Sequence, residues 1–110
     1  MHLNSKIIRS RKSVFPRQFN GSAIPSKIIY EILENANHAP SHRMTQPWFF
    51  KVYSGNSKQI LVKKILNNKK INFSEIAKEK LINNYKKTSH VICICMKKTK
   101  IVPEWEEIAA

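Results

Sequence analysis

The sequence predicts a mixed domain of helices and strands in which helices outnumber strands, in the order α, α, β, α, α, β, α. Apolar residues recur at helical spacing in Leu3, Ile7, Ile8 and again in Ile28, Ile29, Ile32, Leu33, Ala36. By contrast, Trp48–Tyr53 and His90–Met96 are short runs of aromatic, β-branched or otherwise apolar residues, the composition of strands. Prolines 25, 40, 47 and 103 punctuate these segments, where a residue without an amide hydrogen is tolerated best.

Each element has a local reason. Residues 3–10 form a short amphipathic helix that gives way to Arg11-Lys12-Ser13-Val14, and Asn20-Gly21-Ser22 is a turn. Pro25 and Ser26 open the second helix, with an apolar stripe of Ile24, Ile28, Ile29, Ile32, Leu33 and Ala36. It stops near Asn37-His38, because Pro40 disfavours helix in the residue before it. After the strand Trp48–Tyr53, Ser54-Gly55-Asn56 turns the chain into a helix over 57–67. The next helix covers 74–86, with Ser74 as N-cap and Ile76, Ala77, Leu81 and Ile82 facing inward. His90–Met96 is almost unbroken in its apolar character, which predicts cover on both faces.

At 110 residues the chain is one domain at most. Two strands make a poor sheet on their own. The segment after Pro103, Trp105-Glu106-Glu107-Ile108-Ala109-Ala110, reads as a helix getting under way with no stop signal. Both observations predict the front part of a longer protein. The formal charge of +13 invites a nucleic-acid partner. The lysines are scattered among Asn and Ile, however, and describe a solvated basic surface better than a single recognition stripe. Cys93 and Cys95 lie two apart in a strand, so they share a face and a disulfide between them would be strained. They read as small hydrophobes. The N-terminus shows no apolar stretch of signal-peptide length, and no run approaches the ~18 apolar residues of a membrane span. The default compartment is the cytoplasm, with neither nucleic acid nor membrane as a partner.

Two clusters are candidates for binding. Arg11, Lys12 and Ser13 offer a guanidinium fork, an ammonium and a hydroxyl within three residues, a donor set suited to phosphate. The stretch Ala39–Phe50, APSHRMTQPWFF, holds Ser41, His42, Arg43, Thr45 and Gln46 on a short connector between a helix and a strand. His38 and His42 flank Pro40 and so share no regular helix face, which weakens any reading as a metal pair. With only Gly21 and Gly55 there is no glycine-rich nucleotide loop, and no Ser/His/Asp set has supporting context. No catalytic side chain is assigned.

Taken together, Arg11-Lys12-Ser13 after the first helix and Ala39–Phe50 after the second resemble the nitroreductase family of flavoproteins. Its members open with an Arg-Arg-Ser or Arg-His-Ser element and follow it with Ala-Pro-Ser-x-x-x-x-Gln-Pro-Trp-x-Phe. The resemblance extends to VPEWEEIAA at 102–110, which is similar to the start of the family's long central helix. It implies an α+β fold with helices flanking an antiparallel sheet, incomplete here, with residues 1–110 as the N-terminal part of a single domain. It also implies a homodimer with flavin mononucleotide (FMN) in the groove between subunits. By position, Arg11, Lys12 and Ser13 would grip the flavin phosphate and ribityl chain, Lys12 replacing the usual Arg or His. His38 and His42 would lie against the flavin, and Pro40, Ser41 and Arg43 are weaker candidates for lining the same groove.

The implied activity is transfer of hydride from NADH or NADPH through FMN to a nitroaromatic or quinone-like small-molecule acceptor. Family members supply contacts to flavin N5, and a late basic residue, from a C-terminal half that this sequence does not contain. The expectation is therefore weak flavin binding and little reductase activity for these 110 residues alone. Two other readings stay open on sequence grounds: an inactive remnant serving as a structural or interaction protein, and a basic nucleic-acid-binding domain.

Overall fold

The predicted order of elements is the observed one. The computed structural model describes residues 2–98 and 100–109, with the side chains of His42, Glu106 and Glu107 outside that description. The helices are α1 (Leu3–Ser10), α2 (Ser26–Ala36), α3 (Gly55–Leu66), α4 (Glu75–Lys87) and α5 (Glu104–Ala109), and the strands are β1 (Trp48–Ser54) and β2 (His90–Met96). One-turn 3-10 segments occupy Pro16–Gln18 and His42–Met44.

The helix ends follow from local chemistry. Ser74 caps α4, its Oγ accepting from the Ala77 amide at 3.2 Å, which satisfies a donor that has no partner within the helix. Pro25 precedes α2, and Pro103 immediately precedes α5. α3 begins at Gly55, two residues earlier than the sequence reading, with Ser54 as its N-cap. The Ser54 amide donates to Ser57 Oγ at 2.8 Å, and Gly55 takes φ +52°, a value that glycine adopts at little cost.

β1 and β2 pair antiparallel, with Trp48 opposite Met96, Lys51 opposite Cys93 and Ser54 opposite His90. α3 packs on both strands, and α4 packs on α3 and on the Pro16–Gln18 turn. Two long-range bonds fasten the N-terminal segment to this body. The Ile24 amide donates to Ser89 Oγ at 2.7 Å, and Lys87 Nζ donates to the Arg17 carbonyl at 3.3 Å.

The core is small: among the described residues, Ile29 in α2, Val62 in α3 and Val102 before α5 are its buried aliphatic side chains, with Pro47 fully buried at the entry to β1. Several expectations about burial are corrected. Ile76 is 80% exposed rather than inward, and Ile94 is 78% exposed although the strand composition predicts cover on both faces of β2; Trp105 is 69% exposed as well. Leu3, Ile7 and Ile8 of α1 are also exposed, as are Ile28 and Ile32 of α2. The physical reason is common to all: among the described residues no element covers those faces. The Cα radius of gyration is 17.3 Å, against about 13 Å for a compact chain of this size. Cys93 and Cys95 are free thiols and half-buried.

Candidate functional site

α1 ends when the chain turns extended at Arg11, whose amide still closes onto the Ile7 carbonyl at 3.2 Å. Arg11, Lys12 and Ser13 therefore leave the helix on extended, exposed backbone. Arg11 Nη1 donates to Ser13 Oγ at 3.5 Å, so the guanidinium and the hydroxyl are side by side and the hydroxyl hydrogen is left to donate elsewhere. Among the described residues, Arg11 and Lys12 have no carboxylate partner. Two uncommitted cations and a hydroxyl fit the needs of a phosphate group, which accepts charge-assisted hydrogen bonds.

The second candidate cluster is the connector between α2 and β1. α2 closes at Asn37, and the next two amides, of His38 and Ala39, bond back to the carbonyls of Asn35 and Ala36, both at 3.1 Å. His38 is exposed, with Nε2 3.8 Å from Glu34 Oε1, one turn back on the helix. A solvated pair of this kind contributes little to stability. His42 begins the one-turn segment His42–Met44, and its side chain lies outside the described residues. Among the described residues no hydrogen bond or ion pair joins His38 to the Arg11–Ser13 pair.

The connector has an unusual backbone. Arg43, Met44 and Gln46 take φ of +53°, +53° and +43°, a region that side chains with a Cβ seldom enter. Each such residue costs on the order of 1 kcal/mol, so surrounding bonds must hold it. They are present. Ser41 Oγ accepts from the Gln46 amide at 3.1 Å, and the Ser41 carbonyl accepts from the Met44 amide at 3.2 Å. Gln46 Nε2 donates to the Asn37 carbonyl at 3.3 Å, and the Trp48 indole Nε1 donates to Asn37 Oδ1 at 3.0 Å. The Pro47 carbonyl accepts from the Lys97 amide at 2.6 Å, which ties the entry of β1 to the exit of β2. Lys97 Nζ also stands 5.5 Å from the centre of the Phe49 ring.

Sequence reasoning located the connector but not what holds it. Trp48 reads as a core residue and Asn37 as a helix end. The missed signal is that a half-buried indole N–H needs an acceptor, and an Asn at the end of the preceding helix is a suitable one.

Two other features bear on chemistry. A groove of about 420 Å³ runs between α3 and α4, with Val62, Leu66 and Ile82 on its walls and Lys58, Lys63 and Lys86 around them. Another of about 570 Å³ opens between the 14–24 segment, Ile29 and the start of β2, and includes Ser89 and His90. Ser89 Oγ is 2.8 Å from His90 Nδ1, but it also accepts the Ile24 amide, which gives it a structural task. Among the described residues no three His, Cys, Asp or Glu side chains converge as metal ligands would, and no helix is long and apolar enough to cross a membrane.

Comparison with known proteins covers both clusters. Residues 8–106 match the family model described as the nitroreductase family. The chain is 40% identical over 83 residues to YfhC of Bacillus subtilis (strain 168), a protein named among the NAD(P)H nitroreductases; the match takes in 74% of this chain and 41% of that one. It is 42% identical over 55 residues to 4-nitrobenzoate reductase of Pseudomonas putida, half of this chain and 23% of the relative. The crystal structure of a nitroreductase-like family protein from Bacillus cereus superimposes on the whole chain with a TM-score of 0.82 at 27% identity, over 58% of its own length. The chain thus spans about two fifths of the first of these curated relatives and just over half of the structural neighbour.

Proposed function

The chain belongs to the nitroreductase family, and on that premise we propose that it forms the N-terminal part of an FMN-dependent oxidoreductase that takes hydride from NADH or NADPH and reduces nitroaromatic or quinone-like acceptors. The observation that carries the reading furthest is the Arg11–Ser13 pair. A guanidinium and a hydroxyl stand 3.5 Å apart on exposed backbone, beside Lys12, with no acid among the described residues to neutralise them. That donor set fits the FMN phosphate.

When bound, FMN would supply the two-electron, hydride-accepting chemistry that no side chain offers. The chain's own residues have simpler tasks. Arg11 and Lys12 neutralise the phosphate, and Ser13 donates its free hydroxyl hydrogen to a phosphate or ribityl oxygen. His38 and His42, both on the connector, would be the residues available to donate hydrogen bonds to the ring. Hydrogen-bond donors facing a bound ring would favour negative charge on it. We further propose a homodimer, a reading supported by the apolar side chains that stand exposed on α1, α2 and β2.

The test is titration of the full-length natural protein with FMN, followed by flavin fluorescence, beside Arg11→Ala and Ser13→Ala. The expected result is saturable binding that both substitutions weaken, together with acceptor-dependent oxidation of NADH or NADPH. A cooperatively folded protein without measurable FMN affinity would overturn the proposal and leave a non-catalytic remnant.

A further inference from the structure

We propose that Asn37 is a positioning residue: through its side-chain bond to Trp48 it sets the shape of the connector that carries His42 and Arg43. This deepens, and for its effect on ligand binding rests on, the flavin reading given above. Asn37 is the last residue of the α2 turn, so its own backbone is fixed, its amide bonding back to the carbonyls of Leu33 and Glu34 at 3.1 Å. From that fixed point it reaches across the loop twice. Its Oδ1 accepts the indole N–H of Trp48 at 3.0 Å, and its carbonyl accepts the Gln46 side-chain amide at 3.3 Å.

Trp48 is the first residue of β1, and Pro47 beside it is fully buried. Asn37 therefore joins the end of a helix to the start of a strand, closing a loop whose ends are held together. Three residues inside the loop, Arg43, Met44 and Gln46, take positive φ without being glycine. A free chain abandons such conformations, so the loop keeps its shape only while its closure holds. The Oδ1–indole bond is the part of that closure that depends on the identity of residue 37, because the bond to Gln46 uses a backbone carbonyl that every residue has. A change at Asn37 is thereby felt at His42 and Arg43, several residues away.

The experiment uses the full-length natural protein with Asn37→Ala, Trp48→Phe, the double variant and Asn37→Asp, which keeps an acceptor for the indole. Two readouts are taken. In FMN titrations, Asn37→Ala and Trp48→Phe each raise the Kd about fivefold, the double variant is no worse than either, and Asn37→Asp stays within about twofold of the parent. In limited trypsin digestion read by mass spectrometry, cleavage after Arg43 accelerates about fivefold in the first three variants, while cleavage after exposed Lys69 keeps its rate.

The proposal is overturned if Arg43 cleavage ignores Asn37→Ala, if the two single effects multiply in the double variant, or if Asn37→Asp behaves like Asn37→Ala. The flavin reading fails separately. If the parent binds no FMN while Arg43 cleavage follows the expected pattern, Asn37 still positions the connector and the ligand assignment is wrong.

Discussion

Replacing Ile29 by alanine removes three carbons from the most buried aliphatic side chain of α2, which is 5% exposed. At about 0.8 kcal/mol for each buried carbon, the lost transfer free energy comes to ~2.4 kcal/mol. A cavity penalty usually adds to this, but here the void would open into the groove of about 570 Å³ that Ile29 lines with Val14, Phe19, Ile24 and Ile92. The added penalty is therefore small and is offset by the few tenths of a kcal/mol that alanine regains in helix propensity, so the total stays at ~2.4 kcal/mol. The neighbouring Ile28 supplies the control, since it shares the helix but is 45% exposed. Its substitution by alanine loses about half the transfer energy and regains a few tenths of a kcal/mol in helix propensity, for a net cost of roughly 0.8 kcal/mol. For a chain of this length each kcal/mol lowers Tm by about 4–5 °C, so Ile29→Ala should melt ~10 °C below the parent and Ile28→Ala about 3–4 °C below it. Thermal denaturation by circular dichroism, with urea titrations for ΔΔG, measures both. If Ile29→Ala costs no more than Ile28→Ala, the small core described above does not hold α2 in place.

The other predictions concern capping, charge and thiols. Ser74→Ala, which removes the acceptor for the Ala77 amide, should cost about 1 kcal/mol in urea denaturation, whereas Ser74→Asp should be close to neutral because it caps as well and suits the helix dipole. Arg11→Ala should weaken FMN binding by roughly one order of magnitude or more, as expected for charge-assisted bonds worth about 1.5–3 kcal/mol, and Arg11→Lys should recover only part of it in the same titration. Raising ionic strength should weaken FMN binding in the parent more than in Arg11→Ala, which isothermal titration at two salt concentrations would read. Cys93 and Cys95 should remain two titratable thiols after mild oxidation, by Ellman assay of the unfolded protein, because their positions two apart in β2 suit a disulfide badly.

Periodicity located the longer helices and composition located both strands, because spacing in the sequence reports which residues share a face and β-branched or aromatic runs report extended chain. It could not report whether that face meets anything. Ile76 and Ile94 fall in apolar stripes and Trp105 opens an amphipathic turn, yet all three are exposed, since cover depends on distant parts of a protein and not on local pattern. The start of α3 was misplaced for a smaller reason: Gly55 looks like a turn residue and is instead the first residue of a helix, entered at positive φ. Arg11-Lys12-Ser13 and the Ala39–Phe50 stretch were legible because chemistry-bearing residues were adjacent in the chain. The bond between Asn37 and Trp48 was not, because it spans eleven positions and its two ends belong to elements of different period.

The antiparallel ribbon of β1 and β2 has a practical consequence. Among the described residues each strand pairs only with the other, so both outer flanks present a row of amide and carbonyl groups ready to recruit further strands. The flank of β2 carries the consecutive apolar residues Val91-Ile92-Cys93-Ile94-Cys95-Met96, without a charge or a proline to interrupt them. Stretches of that kind nucleate ordered aggregates when chains meet before they finish folding. Production of these 110 residues should therefore be sensitive to concentration and temperature, and a lysine in place of the exposed Ile94 should raise the soluble yield.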